Sequence, residues 1–210
     1  MQKIRIKFEK GPEVRFISHL DMIRAIERAV RRSGIPIAYS SGYNPRPRIA
    51  WGPPLPLGIE SNCELADLTM ERWIKPETIA EALGSELPGG LNLIEAGIGN
   101  PKEPSLDSHM NRAEYIVLLS SGNKERLRER ISKIKESSEI PVDKKGMTVN
   151  KRSMLHGLEL TEEPLGIRMK LQVGGGGTLK PKEVLDLMED LEIQNIKRTG
   201  LYFEEMTSVA

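Results

Sequence analysis

The sequence predicts an α+β fold in two similar halves, and three observations carry that prediction. Strand-like and helix-like periodicities alternate in the order β-α-β-β-α-β and then do so a second time. Ile74-Lys75-Pro76-Glu77 is echoed half a chain length later by Leu179-Lys180-Pro181-Lys182, each tetrapeptide opening a predicted helix. Between the halves, residues 100–112 hold prolines, serines and asparagines in the manner of a linker. The expected architecture is two tandem ferredoxin-like (βαββαβ-type) domains with antiparallel sheets, at residues 1–99 and 113–210.

Each element has its own signal. Ile4, Ile6 and Phe8 alternate with Lys3, Arg5, Lys7 and Glu9, which is the period of a half-buried strand with one basic face. Ser18, with Asp21 three residues on, predicts a helix start, and Gly34 its end. Leu20, Ile23, Ile26 and Val30 are its expected buried stripe, and Arg24, Arg28, Arg31 and Arg32 its solvent side. Extended chain follows at Ile35–Tyr39 and Arg48–Trp51, and Pro53, Pro54 and Pro56 bar a central strand beyond it. Glu64–Ile74 reads as a strand, Pro76–Leu83 as a helix and Leu91–Ile98 as a strand. In the second half the expected order is a strand at Glu114–Ser120 and a helix from Asn123 to about Lys135. Extended segments come next at Ile140–Val142, Met147–Glu159 and Ile167–Val173. A helix at Pro181–Leu191 and a strand at Ile193–Phe203 complete it. The sheet faces away from the helices are then expected to carry Lys3, Arg5 and Lys7 in one half, and Arg168, Lys170, Lys197 and Arg198 in the other.

Composition excludes several classes of chemistry. The chain of 210 residues is 38% hydrophobic and 29% charged. No stretch approaches the ~18 apolar residues of a membrane span, and the charged start does not read as a signal peptide. These features predict a cytoplasmic protein with no membrane partner. The single cysteine, Cys63, excludes an internal disulfide and a CxxC metal or iron–sulfur motif. His109 and His156 have no ligand-spaced partner, so no metal and no cofactor are expected. Charge is unevenly spread: residues 1–50 hold eleven Lys and Arg against four Asp and Glu, and residues 51–100 hold two against eight. A basic first quarter suits an anionic partner, although the acidic quarter could equally fold against it.

Four segments could carry chemistry. His19 falls in the first turn of the first helix, where the helix dipole favours neutral imidazole, a possible general base near Arg24 and Arg28. The plainer reading is a packed or exposed helix-start residue. Ser40–Arg48 (SSGYNPRPR) places Tyr43, Arg46 and Arg48 on backbone stiffened by two prolines, preordered for phosphate or carboxylate, or for the chain's own acids. Trp51–Ser61 is a proline-rich run suited to lining a cleft or docking a partner, or to protecting an edge strand. Gly174, Gly175, Gly176 and Gly177 precede a helix and could offer N–H groups to an anion, but lack the Gly-Lys-Ser/Thr ending of a P-loop. A flexible connection explains them as well.

Arg15–Asp21 (RFISHLD), Gly42–Arg48 (GYNPRPR) and Leu55–Ser61 (LPLGIES) together resemble the radical-SAM-associated (radical-SAM-linked) family of bacterial proteins. The resemblance covers most of the chain and implies partnership with a cobalamin-type radical SAM protein. It does not imply that this chain is one, because Cys63 alone cannot hold a cluster. It supplies no catalytic residues. At the level of fold, the tandem order and His19 also look like the repeat-associated CRISPR RNA endonucleases, whose glycine-rich segment follows the final helix rather than preceding it.

The expectation drawn from these residues is a non-catalytic accessory protein that binds RNA or another phosphate-bearing substrate for a radical SAM partner. Arg24, Arg28, Arg46 and Arg48 are its anion-binding residues and Tyr43 a stacking surface. The alternatives are metal-independent RNA cleavage, with His19 as base assisted by Tyr43 or an arginine, and a purely protein-binding adaptor.

Overall fold

The computed structural model describes residues 1–204; residues 205–210, which the sequence assigns to the end of the second domain, lie outside the described residues. Contacts divide the chain after His109 into two units. In the first, β1 (Gln2–Lys10) buries Ile4, Ile6 and Phe8 on one face, as its alternation requires. It pairs antiparallel with β3 (Glu60–Met70) on one side and β4 (Leu91–Ile98) on the other. β2 (Ile49–Trp51) pairs antiparallel with β3 further out, giving the order β4-β1-β3-β2. Ile4 opposes Leu68 and Ile6 opposes Ala66, so both strands present their apolar sides together.

Two helices cover that apolar face. α1 (His19–Arg32) begins as its sequence demands, with the Ser18 hydroxyl accepting the Asp21 N–H at 3.1 Å. α2 (Pro76–Gly84) starts on a proline whose missing N–H costs nothing there. Met22, Ile26, Ala29 and Val30 of α1 and Ile79 and Leu83 of α2 join the β1 and β3 side chains in one core. The stripe is therefore rotated from the expected one: Met22 and Ala29 are inside, whereas Leu20 is 63% exposed. Hydropathy alone could not tell Leu20 from Met22; the angle at which the helix docks decides it.

The opposite face of β1 is not a free basic platform. Arg5 donates to both carboxylate oxygens of Asp67, at 2.7 and 3.0 Å, and to Glu103 at 2.9 Å. Lys3 lies 3.7 Å from Asp67. Asp67 opposes Arg5 directly across the β1–β3 ladder, so the acidic second quarter of the sequence neutralises the basic strand. Glu103 belongs to the stretch expected to be a linker. That stretch ends in a short helix, α3 (Leu106–His109), whose Leu106 is fully buried.

The second unit is again a mix of strands and helices. β5 (Arg112–Ser121) leads to α4 (Lys124–Glu136), capped by Asn123, which accepts the Arg126 N–H at 2.8 Å. A hairpin of β6 (Pro141–Lys144) and β7 (Met147–Asn150) follows, its two turn residues Lys145 and Gly146 both at positive φ. Then come β8 (Leu155–Glu162), β9 (Leu165–Gln172), α5 (Pro181–Leu185) and β10 (Glu192–Tyr202). All pairs are antiparallel, in the order β10-β5-β9-β8. The segment expected to be extended from Met147 to Glu159 is broken by a 3-10 turn at Arg152–Met154, and the last helix is shorter than Pro181–Leu191. Arg198, assigned to an outward basic face, is fully buried, its guanidinium donating to the Tyr115 hydroxyl from Nε and Nη2 at 3.2 and 3.1 Å. The echoed tetrapeptides occupy matching places, since Pro76 opens α2 and Pro181 opens α5.

Candidate functional site

Helical periodicity sets Leu20, Arg24, Arg28 and Arg31 along one line of α1, three or four residues apart, and all four are exposed. Arg24 is paired with Asp21 at 3.0 Å, an exposed contact within one helical turn. The Asp21 carboxyl is held below the usual carboxylate range, chiefly by the Ser18 hydroxyl and then by Arg24. Arg28 and Arg31 carry no ion pair among the described residues. The ladder therefore offers positive charge that is weakly committed or uncommitted.

The loop beyond α1 has a defined frame. The Ser40 N–H donates to the Arg46 carbonyl at 2.9 Å, and the Ser40 hydroxyl accepts the Arg46 N–H at 3.0 Å. The Arg48 N–H donates to Ala38, and the Arg48 carbonyl accepts from Thr69, which extends the sheet past β2. Pro47 is buried between Arg46 and Arg48, so the two arginines point to the same side, outward. Neither guanidinium meets an acid among the described residues; Arg48 reaches only the Met1 sulfur, at 3.7 Å. Tyr43, at the loop tip, is 99% exposed.

The two candidate catalytic residues lie at opposite ends of α1. Its start is tied to the end of β1, where the Lys10 ammonium donates to the carbonyls of Arg15 and Ile17. Its end leads to Ile37, which bridges Met70 at the far end of β3, and the Tyr43 loop springs from there. A helix of 14 residues is about 20 Å long, so His19 and Tyr43 do not form one constellation. Arg24 belongs to the His19 half of the ladder, and Arg46 and Arg48 to the Arg31 end.

Hydrophobicity patterns missed a second feature of this unit. Phe16 is 68% exposed and Leu57 65%. Their segments are joined by a hydrogen bond from the Gly58 N–H to the Arg15 carbonyl at 2.9 Å. Gly58 has φ +80, and a Cβ there would touch the Phe16 ring at 3.5 Å. The Arg15 guanidinium lies 4.9 Å from the Phe16 ring centroid and 3.5 Å from Glu60, which is buried. The only sequence signal was that Phe16 and Leu57 fall inside two of the three distinctive motifs.

The glycine loop in the second unit is occupied by its own chain. Gly174 and Gly177 take positive φ, and the Gly177 N–H closes a turn on the Gly174 carbonyl at 3.1 Å. Gln172 donates to Gly176 at 2.7 Å, and Lys151 to Thr178 at 2.8 Å. The Glu183 carboxylate accepts the Lys180 N–H at the start of α5.

A cleft of about 280 Å³ opens on the same unit between Glu114, His156, Glu159, Arg168 and Lys170. Lys170 bonds Glu204 at 2.8 Å and lies over the Tyr202 ring, and the Tyr202 hydroxyl donates to Glu114 at 3.0 Å. Burial, then Arg112, pushes His156 below the ordinary histidine range, so its imidazole is neutral near pH 7. Among the described residues no cluster of three or more His, Cys, Asp or Glu is placed to hold a metal ion. No helix among the described residues is long and apolar enough to cross a membrane.

Among solved structures, the chain is similar to one in the archaeal box H/ACA sRNP Nop10-Cbf5 complex, with TM-score 0.46 and 11% identity over 96% of this chain and 49% of that one. It is also similar to a chain of an H/ACA RNP bound to a substrate RNA containing 2'-deoxyuridine, with TM-score 0.43 and 12% identity, again covering 96% and 49%. It spans about half the length of both. No curated protein matches. Residues 3–181 match a family described as uncharacterised and conserved in bacteria, and the chain belongs to that family, DUF2344.

Proposed function

We propose that the protein is a non-catalytic accessory module that binds RNA, or another phosphate-bearing substrate, through the arginines of its first unit. The observation that carries this reading is that Arg28, Arg31, Arg46 and Arg48 are exposed and meet no acid among the described residues. By contrast, Lys3 and Arg5 are tied up by Asp67. A stiff loop pointing two arginines the same way loses little entropy on meeting an anion. The separation of His19 from Tyr43 weighs against the cleavage alternative. Partnership with a cobalamin-type radical SAM enzyme in the cytoplasm rests on the resemblance of the three motifs. The two units are read as ferredoxin-like repeats, supported by their matching strand orders.

Replacing Arg46 and Arg48 together by alanine is expected to weaken RNA binding and to reduce the slope of log K against log salt. On a single strand the slope falls by about 0.7 for each phosphate the variant no longer neutralises. Fluorescence anisotropy with a labelled RNA across a salt series checks both. An unchanged slope removes these two residues from the interface.

A further inference from the structure

The start of α1 spends unusual structural effort on a solvent-exposed ring. Lys10 is 2% exposed, and its ammonium bonds the carbonyls of Arg15 and Ile17 at 3.1 Å each. Those two residues flank Phe16, so a buried charge fixes the backbone on either side of it. Gly58 closes on the same segment from across the chain. Burying an ammonium is costly, and leaving a phenylalanine 68% exposed forfeits its hydrophobic gain. Neither serves the core.

We propose that Phe16 is a stacking platform for an unpaired nucleobase, at the head of a phosphate track formed by Arg24, Arg28 and Arg31. The inference rests on the phosphate-binding reading above and narrows its substrate to single-stranded or looped RNA. The Arg15 guanidinium, itself bonded to Glu60, lies over the ring, Gly58 lies near one edge, and the ring is 68% exposed; a base on its exposed surface completes an Arg–Phe–base stack. Leu20, in the first turn of α1, and Leu57, next to Gly58, are 63% and 65% exposed and add apolar surface to the same two segments. Successive steps of the ladder advance roughly 4.5 to 6 Å along the helix, of the order of the spacing between neighbouring phosphates of an extended strand. Three exposed apolar side chains give too little surface for a stable protein interface by themselves, and the adjoining arginines carry the charge an RNA strand requires. These two points favour RNA over a protein partner.

The test uses the full chain, a labelled 12-nucleotide oligoadenylate and a 12-base-pair RNA duplex, with anisotropy measured across a salt series. The wild type is expected to prefer the single strand. Phe16→Ala is expected to weaken oligoadenylate binding by about five-fold or more while leaving its salt slope and the duplex affinity unchanged. Phe16→Trp restores binding. Arg28→Ala lowers the salt slope and weakens both ligands. Because Phe16 lies outside the core, an unchanged melting temperature establishes that Phe16→Ala is folded. If the wild type binds RNA and Phe16→Ala binds oligoadenylate equally well, the stacking role is overturned and the arginine reading stands. If the wild type binds neither RNA, both readings fall.

Discussion

Lys10 shows how one side chain can organise a site without touching a ligand. Its aliphatic stem continues the buried end of β1, and its ammonium satisfies two carbonyls that open the turn into α1. Methionine fills nearly the same volume but offers no donor. Lys10→Met is therefore expected to take the ammonium donor from both carbonyls, leaving Arg15 only the Gly58 N–H, and to cost about 1–3 kcal/mol of stability. Urea unfolding followed by circular dichroism measures it. A midpoint within error of the wild type means the clamp is dispensable. In the strand alternation Lys10 falls in phase with Ile4, Ile6 and Phe8, on the face opposite Lys3 and Lys7. What the sequence could not show is the pair of carbonyls that receives its ammonium, which are brought there because the chain turns back over the end of the strand.

Among the elements, strands and caps were the most readable. β4 lies where its periodicity placed it, and Ser18 and Asn123 cap the two long helices as their sequence neighbours required. Less readable was the fate of glycines. Gly166 and Gly175 look alike as letters, yet a Cβ at Gly166 would stand 2.4 Å from the Val117 carbonyl oxygen, whereas at Gly175 it would meet nothing within 4 Å. Gly166 sits in β9 opposite Leu118 of β5, so the added methyl must force the two strands apart. Gly166→Ala is expected to destabilise the protein by about 1–3 kcal/mol, and Gly175→Ala by a few tenths at most. Thermal melts of the two variants side by side test the contrast; equal melting temperatures contradict it. The same reasoning explains the glycine run before α5. Its conformational freedom serves a tight turn, closed by the Gly177 N–H on the Gly174 carbonyl.

For the whole molecule, the pH dependence of stability has one contributor with a clear sign. The folded-state pKa of His156 lies below its ordinary value of 6.5, so the unfolded chain binds the proton more readily. The stability linked to this group is fully present above about pH 6.5 and is lost as pH falls through that value. The surroundings that set it are Gln172, Arg112, Glu204 and Lys170. Stability is therefore expected to drop between about pH 7.5 and 5.5, and His156→Gln to make that drop smaller. Urea midpoints of both proteins at the two pH values decide it, and parallel losses would exclude His156. The carboxyls of Glu162 and Glu204, both held low by basic neighbours, act in a more acidic window.

By itself the sequence determined the α+β class and the exclusion of a disulfide. It determined these because periodicity, caps and cysteine count are local quantities. It also marked an arginine-rich first quarter, since charge can be counted along a chain. Only the tertiary structure decided which of those charges remain available. Arg5 gave up its freedom to Asp67, 62 residues away in sequence. Arg28 and Arg46 kept theirs, and Phe16 was turned out to solvent by a lysine six residues earlier and a glycine from another segment. Pairing across a sheet joins residues that are remote in sequence, and an ionic partner or an exposed ring exists only once that pairing has been made.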